Sequence, residues 1–324
     1  MNEKSIFTLF KKVCDENQNK VAYRYKKDGA WQDVTWQEQF NHCKQVTKSL
    51  LALGVKKGDK VNILSQTRLE WVQCDLAAVF LGAVTAGIYP NNLAEECAYI
   101  INHSEGVVLL VENYEQLGKI QSVRSDLATL KQIVVFEGEP KDESGAISWQ
   151  AFLEKGEGIS DTEFFAQTEQ VHPEDLATIV YTSGTTGVPK GAMLSHSNIL
   201  FSSWNVCECL PFQPHFETIL FLPLAHVFAR LTIYSSLRAV ITLAFAQSIQ
   251  TVAEDIRDIR PHFFASPPRI YEKIYEKIHS DVEDAGGLKK SIFNLALKVG
   301  YAVSERLQQK KSISGLLAFK NKIA

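Results

Sequence analysis

The sequence predicts an α/β protein built on a parallel sheet, and three observations predict it. Continuous apolar runs at 107–111 and 133–136 have the length and composition of strands covered on both faces. Such runs alternate with segments whose apolar residues recur at helical spacing, the pattern of consecutive strand–helix–strand units. A chain of 324 residues with 45% hydrophobic and 22% charged content is that of a water-soluble globular protein, long enough for a large core in two subdomains.

In chain order, the turn signal Lys57-Gly58-Asp59 introduces a short strand at 61–64, and a helix follows over 69–81. The next strand, 86–89, is closed by Pro90, after which Asn91 or Asn92 can cap a helix with Leu93, Cys97, Ile100 and Ile101 on one face. The runs at 107–111 and 133–136 are the next strands. Residues 137–145 read as a surface loop, and a second weak stretch covers 156–173. The apolar run 177–180 leads into a Gly/Ser/Thr-rich loop, and 192–195 is extended again. Ser195 to Asn198 supply caps for a helix over 198–206. Beyond it, 218–221 is extended, 229–237 helical, 241–245 extended, and 249–259 helical up to Pro261. Ile270, Ile274 and Ile278 form a stripe that reads as core.

The loop carries the chemistry. Tyr181-Thr182-Ser183-Gly184-Thr185-Thr186-Gly187-Val188-Pro189-Lys190-Gly191 places four Ser/Thr hydroxyls around Gly184 and Gly187 and leads into a lysine. Glycine lets backbone approach a polyanion, hydroxyls and N–H groups donate to phosphate oxygens, and the lysine adds positive charge. It is not a Walker A loop: the glycines are too close together, Pro189 precedes the lysine, and Gly191 stands where a magnesium-binding hydroxyl would.

The segment 182–190 resembles, at every position, the AMP-binding signature of the adenylate-forming superfamily. Phe221-Leu222-Pro223-Leu224-Ala225-His226-Val227-Phe228-Ala229-Arg230-Leu231-Thr232 and Pro267-Pro268-Arg269-Ile270-Tyr271-Glu272-Lys273-Ile274 are similar to its long-chain fatty acid–CoA ligase branch. The likeness runs from near residue 20 to the C-terminus and is to the N-terminal part of such enzymes. The adenine-stacking G-Y-G-x-T-E-type segment, the ribose-binding aspartate and the C-terminal lid domain with its catalytic lysine have no counterpart here.

That resemblance implies stacked α/β/α layers with an incomplete small β-barrel element. Residues 50–190 would form a first α/β subdomain carrying the phosphate loop, and 1–49 with 191–324 would contribute to a second. It implies ATP, Mg²⁺ and coenzyme A as cofactor and co-substrates. Thr182, Ser183, Gly184, Thr185, Thr186, Gly187 and Lys190 would hold the β and γ phosphates, with Lys190 and Thr182 catalytic. Thr182 would touch magnesium, whose acidic partner lies outside this chain. His226 and Phe228 would border the acyl site, Phe228 as a tunnel gate; His226 reads equally as a core histidine donating to a backbone carbonyl. His196 and Arg269 read as structural, Arg269 through an ion pair. Where relatives tend to have a Gly-Ala turn near 240, this chain has Leu237-Arg238-Ala239-Val240. The implied activity is conversion of a long-chain fatty acid to acyl-adenylate and acyl-CoA, which the chain by itself would not complete. The alternatives are a ligase for another carboxylic acid or a non-catalytic truncated remnant that binds nucleotide or acyl groups.

Six cysteines form no C-x-x-C pair, and Cys207 and Cys209 read as buried thiols. With no secretory signal at the N-terminus, the expected setting is cytoplasmic. The apolar tract 76–89 is too short to span a bilayer. Net charge is −3, made of +7 over 289–324 and −10 over the rest. With the apolar stripe Leu288, Ile292, Leu295, Ala296 and Val299, the basic tail reads either as a segment lying on an anionic membrane or as a solvated helix packed on the chain. Basic residues without interleaved aromatics on an acidic body argue against nucleic acid as a partner.

Overall fold

The computed structural model describes residues 3–140, 144–182 and 187–323, in two compact units, 1–265 and 266–324. The first unit opens with α1 (Ile6–Asn17), the hairpin β1 (Val21–Lys27) and β2 (Ala30–Thr35), and α2 (Trp36–Ala52). Then come β3 (Lys60–Leu64), α3 (Leu69–Phe80), β4 (Val84–Ile88), α4 (Ala94–Ser104), β5 (Gly106–Val111), α5 (Tyr114–Ser122), β6 (Gln132–Val135) and β7 (Ala146–Ser148). After α6 (Trp149–Lys155) and α7 (Asp161–Thr168) run β8 (Leu176–Thr182), β9 (Lys190–Ser195), α8 (His196–Cys209), β10 (Glu217–Leu220), α9 (Val227–Ala239), β11 (Thr242–Phe245) and α10 (Val252–Ile259). The second unit holds α11 (Pro268–Ala285), α12 (Gly287–Gln308) and α13 (Gly315–Ile323).

Strands β3 to β9 form a seven-stranded sheet in the order β7-β6-β5-β3-β4-β8-β9. All neighbours are parallel except β8 and β9. That exception follows from chain length, because a parallel crossover needs a dozen or more residues and Thr182 is joined to Lys190 by far fewer. The sheet face built from Leu64, Ala86, Leu109, Val111 and Ile133 packs on Cys97, Ile100 and Ile101 of α4 and Leu117 and Ile120 of α5. Helix α3 is buried on every side apart from Glu70, as an apolar-all-round helix must be.

The second sheet has the order β10-β11-β1-β2. Strands β1 and β2 turn through Asp28 (φ 50°) and Gly29 (φ 79°), the Asp-Gly pair that a two-residue hairpin demands, and β1 then pairs in parallel with β11. Neither sheet closes on itself among the described residues, so the implied barrel element is not closed here.

The expected strands and helices from 61 to 259 are present, with shifts that have local causes. Strand β4 begins two residues early. Helix α4 is capped at Leu93 rather than Asn91 or Asn92, because the Glu96 carboxylate accepts from the Leu93 N–H at 2.8 Å; Leu93 itself is 66% exposed and leaves the buried face. Helix α10 starts at Val252, after a turn in which Ser248 and Thr251 cap each other's N–H groups. The weak stretch at 156–173 holds α7, capped by Ser160. The stripe Ile270, Ile274 and Ile278 on α11 is not core: Ile274 and Ile278 are exposed. Arg269 is exposed and has no ion pair among the described residues. Cys207 is half-buried and Cys209 exposed, against the expectation for both.

Candidate active site

The Gly/Ser/Thr-rich motif joins the two strands of the β8–β9 hairpin. Thr182 ends β8 and Lys190 opens β9 directly opposite it, and both are exposed. Gly187 has φ +84°, open to glycine without strain. Ser183, Gly184, Thr185 and Thr186 lie outside the described residues. Lys190 has no ion-pair partner among the described residues, so its ammonium is available to an anion.

The hairpin is fastened to α4. Gly191 faces Tyr181 across it, and a Cβ there would lie 2.7 Å from Ile179 Cγ2 and 3.3 Å from the Tyr181 ring. The Tyr181 hydroxyl is 2.8 Å from His103 Nδ1, and burial pushes this phenol up to about 12, so it stays protonated. The His103 ring stacks on Tyr99 at 5.3 Å, and the Tyr99 hydroxyl donates to the Pro189 carbonyl at 3.0 Å.

Joined to β8 is a polar group of residues of which Arg230 alone falls within a sequence motif, the segment 221–232. Asp75, 1% exposed in the middle of α3, pairs with Arg230 of α9, 3% exposed. Arg230 also donates to the Thr85 hydroxyl of β4 at 2.8 Å and to Thr178 of β8, and its guanidinium lies 5.3 Å from the Trp71 ring centroid. Thr85 and the Tyr234 hydroxyl donate to Asp75 at 2.6 and 2.7 Å. A buried charge persists only when paired and hydrogen-bonded, and this one is both. The network ties α3, β4, β8 and α9 together at one point. The signal available in sequence was Asp75, a carboxylate in the middle of an apolar helical run.

Beside it is a cavity of about 80 Å³ lined by Val180, Leu194, Ile199, Val227 and Leu231, with Thr178, Asn198, Ser202, Arg230 and Tyr234 as its polar lining. The structure thus brings the first turns of α9 beside the strand that ends in Thr182. His226 is exposed and caps α9: its Nδ1 accepts from the Phe228 N–H at 3.2 Å, which corrects the core reading in which it would donate to a carbonyl. Phe228 is 42% exposed. The turn before α9 sits tightly on β4, since a Cβ at Gly87 would come within 2.8 Å of Ala225 Cα. His196 is buried; its Nδ1 accepts from the Ile6 N–H at 3.2 Å, and burial lowers the imidazole to about 4. That environment is structural, as expected.

A larger cleft, about 520 Å³, opens at the carboxyl ends of β3, β5 and β6, where strand order reverses. Gln66, Thr67, Arg68, Glu112 and Glu137 line it, together with Tyr25, Lys26 and Gln247. Arg68 is neutralised by Glu70 and Glu137. Among the described residues no three His, Cys, Asp or Glu side chains gather as metal ligands.

The chain belongs to the AMP-binding enzyme family, whose profile matches residues 10–313. It is 33% identical over 291 residues to the human long-chain-fatty-acid–CoA ligase ACSBG2, covering 88% of this chain and 44% of that one. It is 31% identical over 287 residues to the ligase FadD15 of Mycobacterium tuberculosis, covering 88% and 47%. The chain therefore spans about half the length of the curated relatives it matches. Among solved structures it resembles the anthranilate CoA ligase AuaEII in complex with anthranoyl-AMP, with a TM-score of 0.70 and 25% identity, over 80% of this chain and 49% of that one. The fold is that of adenylate-forming N-terminal domains, as the sequence implied.

Proposed function

We propose that the protein activates a long-chain fatty acid with ATP and passes the acyl group to coenzyme A. Ligases of this name at about 30% identity support the substrate class. The observation that carries the mechanism is the hairpin, which sets Thr182 and Lys190 side by side, exposed and unpaired by acidic groups among the described residues. In the first step a carboxylate oxygen attacks the α-phosphorus and the bond to pyrophosphate breaks. Negative charge grows on the leaving oxygens, where the Lys190 ammonium and the hydroxyl and N–H donors of the loop stabilise it. In the second the thiol sulfur of coenzyme A bonds to the acyl carbon, AMP leaves, and the thiol proton is released. Thr182 offers a single neutral oxygen, so the described residues do not by themselves fit a magnesium site. The cavity lined by Val227 and Leu231 is the acyl side in this reading; Phe228 and His226, exposed at the start of the same helix, do not line it.

ATP–pyrophosphate exchange by the complete protein, screened over acids of increasing chain length, tests it. Exchange should be greatest with long chains. Lys190→Ala and Thr182→Val should each lower it by about 10²-fold or more, the effect of one transition-state donor. Exchange equal to wild type in both variants, or a preference for an aromatic acid, refutes the reading.

The unit 266–324 supports a lipid contact as part of the same proposal. Among the described residues no helix is long and apolar enough to cross a membrane. Leu288, Ile292 and Leu295 of α12 are nonetheless exposed, beside basic residues that give 289–324 a charge of +7. Anionic vesicles should pull the protein down at low salt and release it at high salt. Equal binding to zwitterionic vesicles, or none to either, removes this part.

A further inference from the structure

We propose that Tyr99 is a positioning residue that sets the placement of Lys190, an inference that rests on reading the hairpin turn as the triphosphate grip. The connection is short and specific. Tyr99 lies on α4, partly buried, and its hydroxyl donates to the carbonyl of Pro189, the residue bonded to Lys190. Pro189 cannot itself donate a backbone hydrogen bond to the neighbouring strand, so the carbonyl is the handle this residue offers. Its ring is in turn held. His103, one helical turn on, stacks against it at 5.3 Å, and His103 is hydrogen-bonded to the buried Tyr181 hydroxyl. Tyr181 is the residue before Thr182 on β8, and Pro189 is the residue before Lys190 on β9. One helix face thus holds both strands of the hairpin, Tyr181 through His103 on one and, two residues nearer the turn, Pro189 through Tyr99 on the other. The packing supplied by Gly191 and Ile179 keeps the two stems close, and the α4 contacts decide where the pair points.

A group that aims a lysine at the β and γ phosphates acts on ligands that carry those phosphates and on no others. Tyr99→Phe keeps the ring and its stacking on His103 while deleting the donor. In the complete protein, exchange kinetics should show KM for ATP and for pyrophosphate raised about two- to tenfold, the net effect of one hydrogen bond. KM for the fatty acid should be unchanged, and AMP should compete as well as against wild type. A purely structural tyrosine predicts otherwise: a lower unfolding temperature with every KM unmoved, or all of them shifted together. Either of those results overturns the proposal. Absence of exchange in the wild-type protein would remove the function reading and this inference with it, whereas wild-type exchange with unaltered nucleotide KM in the variant removes the inference alone.

Discussion

Replacing Arg230 with methionine tests the account of how α9 is held to the sheet. Methionine fills much of the same volume without charge, so the packing change is small and the electrostatic one large. In the variant Asp75 keeps the Thr85 and Tyr234 hydroxyls but loses its cation, at a position 1% exposed to water. Thr178 and Thr85 each lose a donor as well. Breaking a buried pair from one side typically costs about 3–5 kcal/mol, a large share of the roughly 5–15 kcal/mol that keeps a domain folded. Urea unfolding followed by circular dichroism measures the loss, and the Asp75→Leu, Arg230→Met double variant completes the cycle. Because the double variant leaves no buried charge, it should be less destabilised than the sum of its parts by at least about 1 kcal/mol. A loss below about 1 kcal/mol in Arg230→Met at unchanged denaturant slope, or simple additivity, would refute the reasoning.

Three further outcomes follow from single residues. His196 sits near 4 in the fold against about 6.5 unfolded, so between those values the unfolded chain takes up a proton that the folded one refuses. Stability is therefore full above about pH 6.5 and falls by roughly 3 kcal/mol towards pH 4 on this account, with Asp175 opposing and Lys57 adding to the shift; unfolding curves at pH 7 and pH 5 should converge in His196→Gln. Val240 ends α9 with φ 56° and ψ 38°, a left-handed conformation costly for a β-branched side chain, so Val240→Gly should raise the unfolding free energy by about 0.5–1 kcal/mol; a neutral or destabilising result counts against strain there. Gly87→Ala would press a methyl to 2.8 Å from Ala225 Cα and 3.1 Å from the Trp71 ring, and should cost about 1–3 kcal/mol, read by thermal unfolding.

What could be read from sequence tracks how local its cause is. Strands β3, β4, β5, β6 and β8 are largely buried on both faces and declare themselves as apolar runs, whereas the three-residue β7 is only half-buried and leaves no such run; α8 declares its start through Ser195 and Asn198, which cap it reciprocally. Strand β1 does not: Val-Ala-Tyr-Arg-Tyr-Lys-Lys is half polar, and the strand that completes it is β11. Its one local sign was the Asp28-Gly29 turn. The Asp75–Arg230 pair spans 155 residues and leaves no periodicity, only a carboxylate where an apolar helix should have none. Tyr99 and His103 share a helix face that looks like any other, and their meaning comes from a hairpin some 80 to 90 residues on. The isoleucines of α11 show the converse failure, since helical spacing marks an apolar face without saying what covers it.

The second sheet has a consequence for the order of events during synthesis. Val21 at the start of β1 accepts a hydrogen bond from Thr242, 221 residues later. At about 5–20 residues per second a ribosome needs roughly 10–45 s to cover that distance. Through that interval β1 has emerged with the flank that β11 will cover still bare, an open template for any neighbouring nascent chain. The timing of translation, rather than the strength of any one contact, decides how long that hazard lasts.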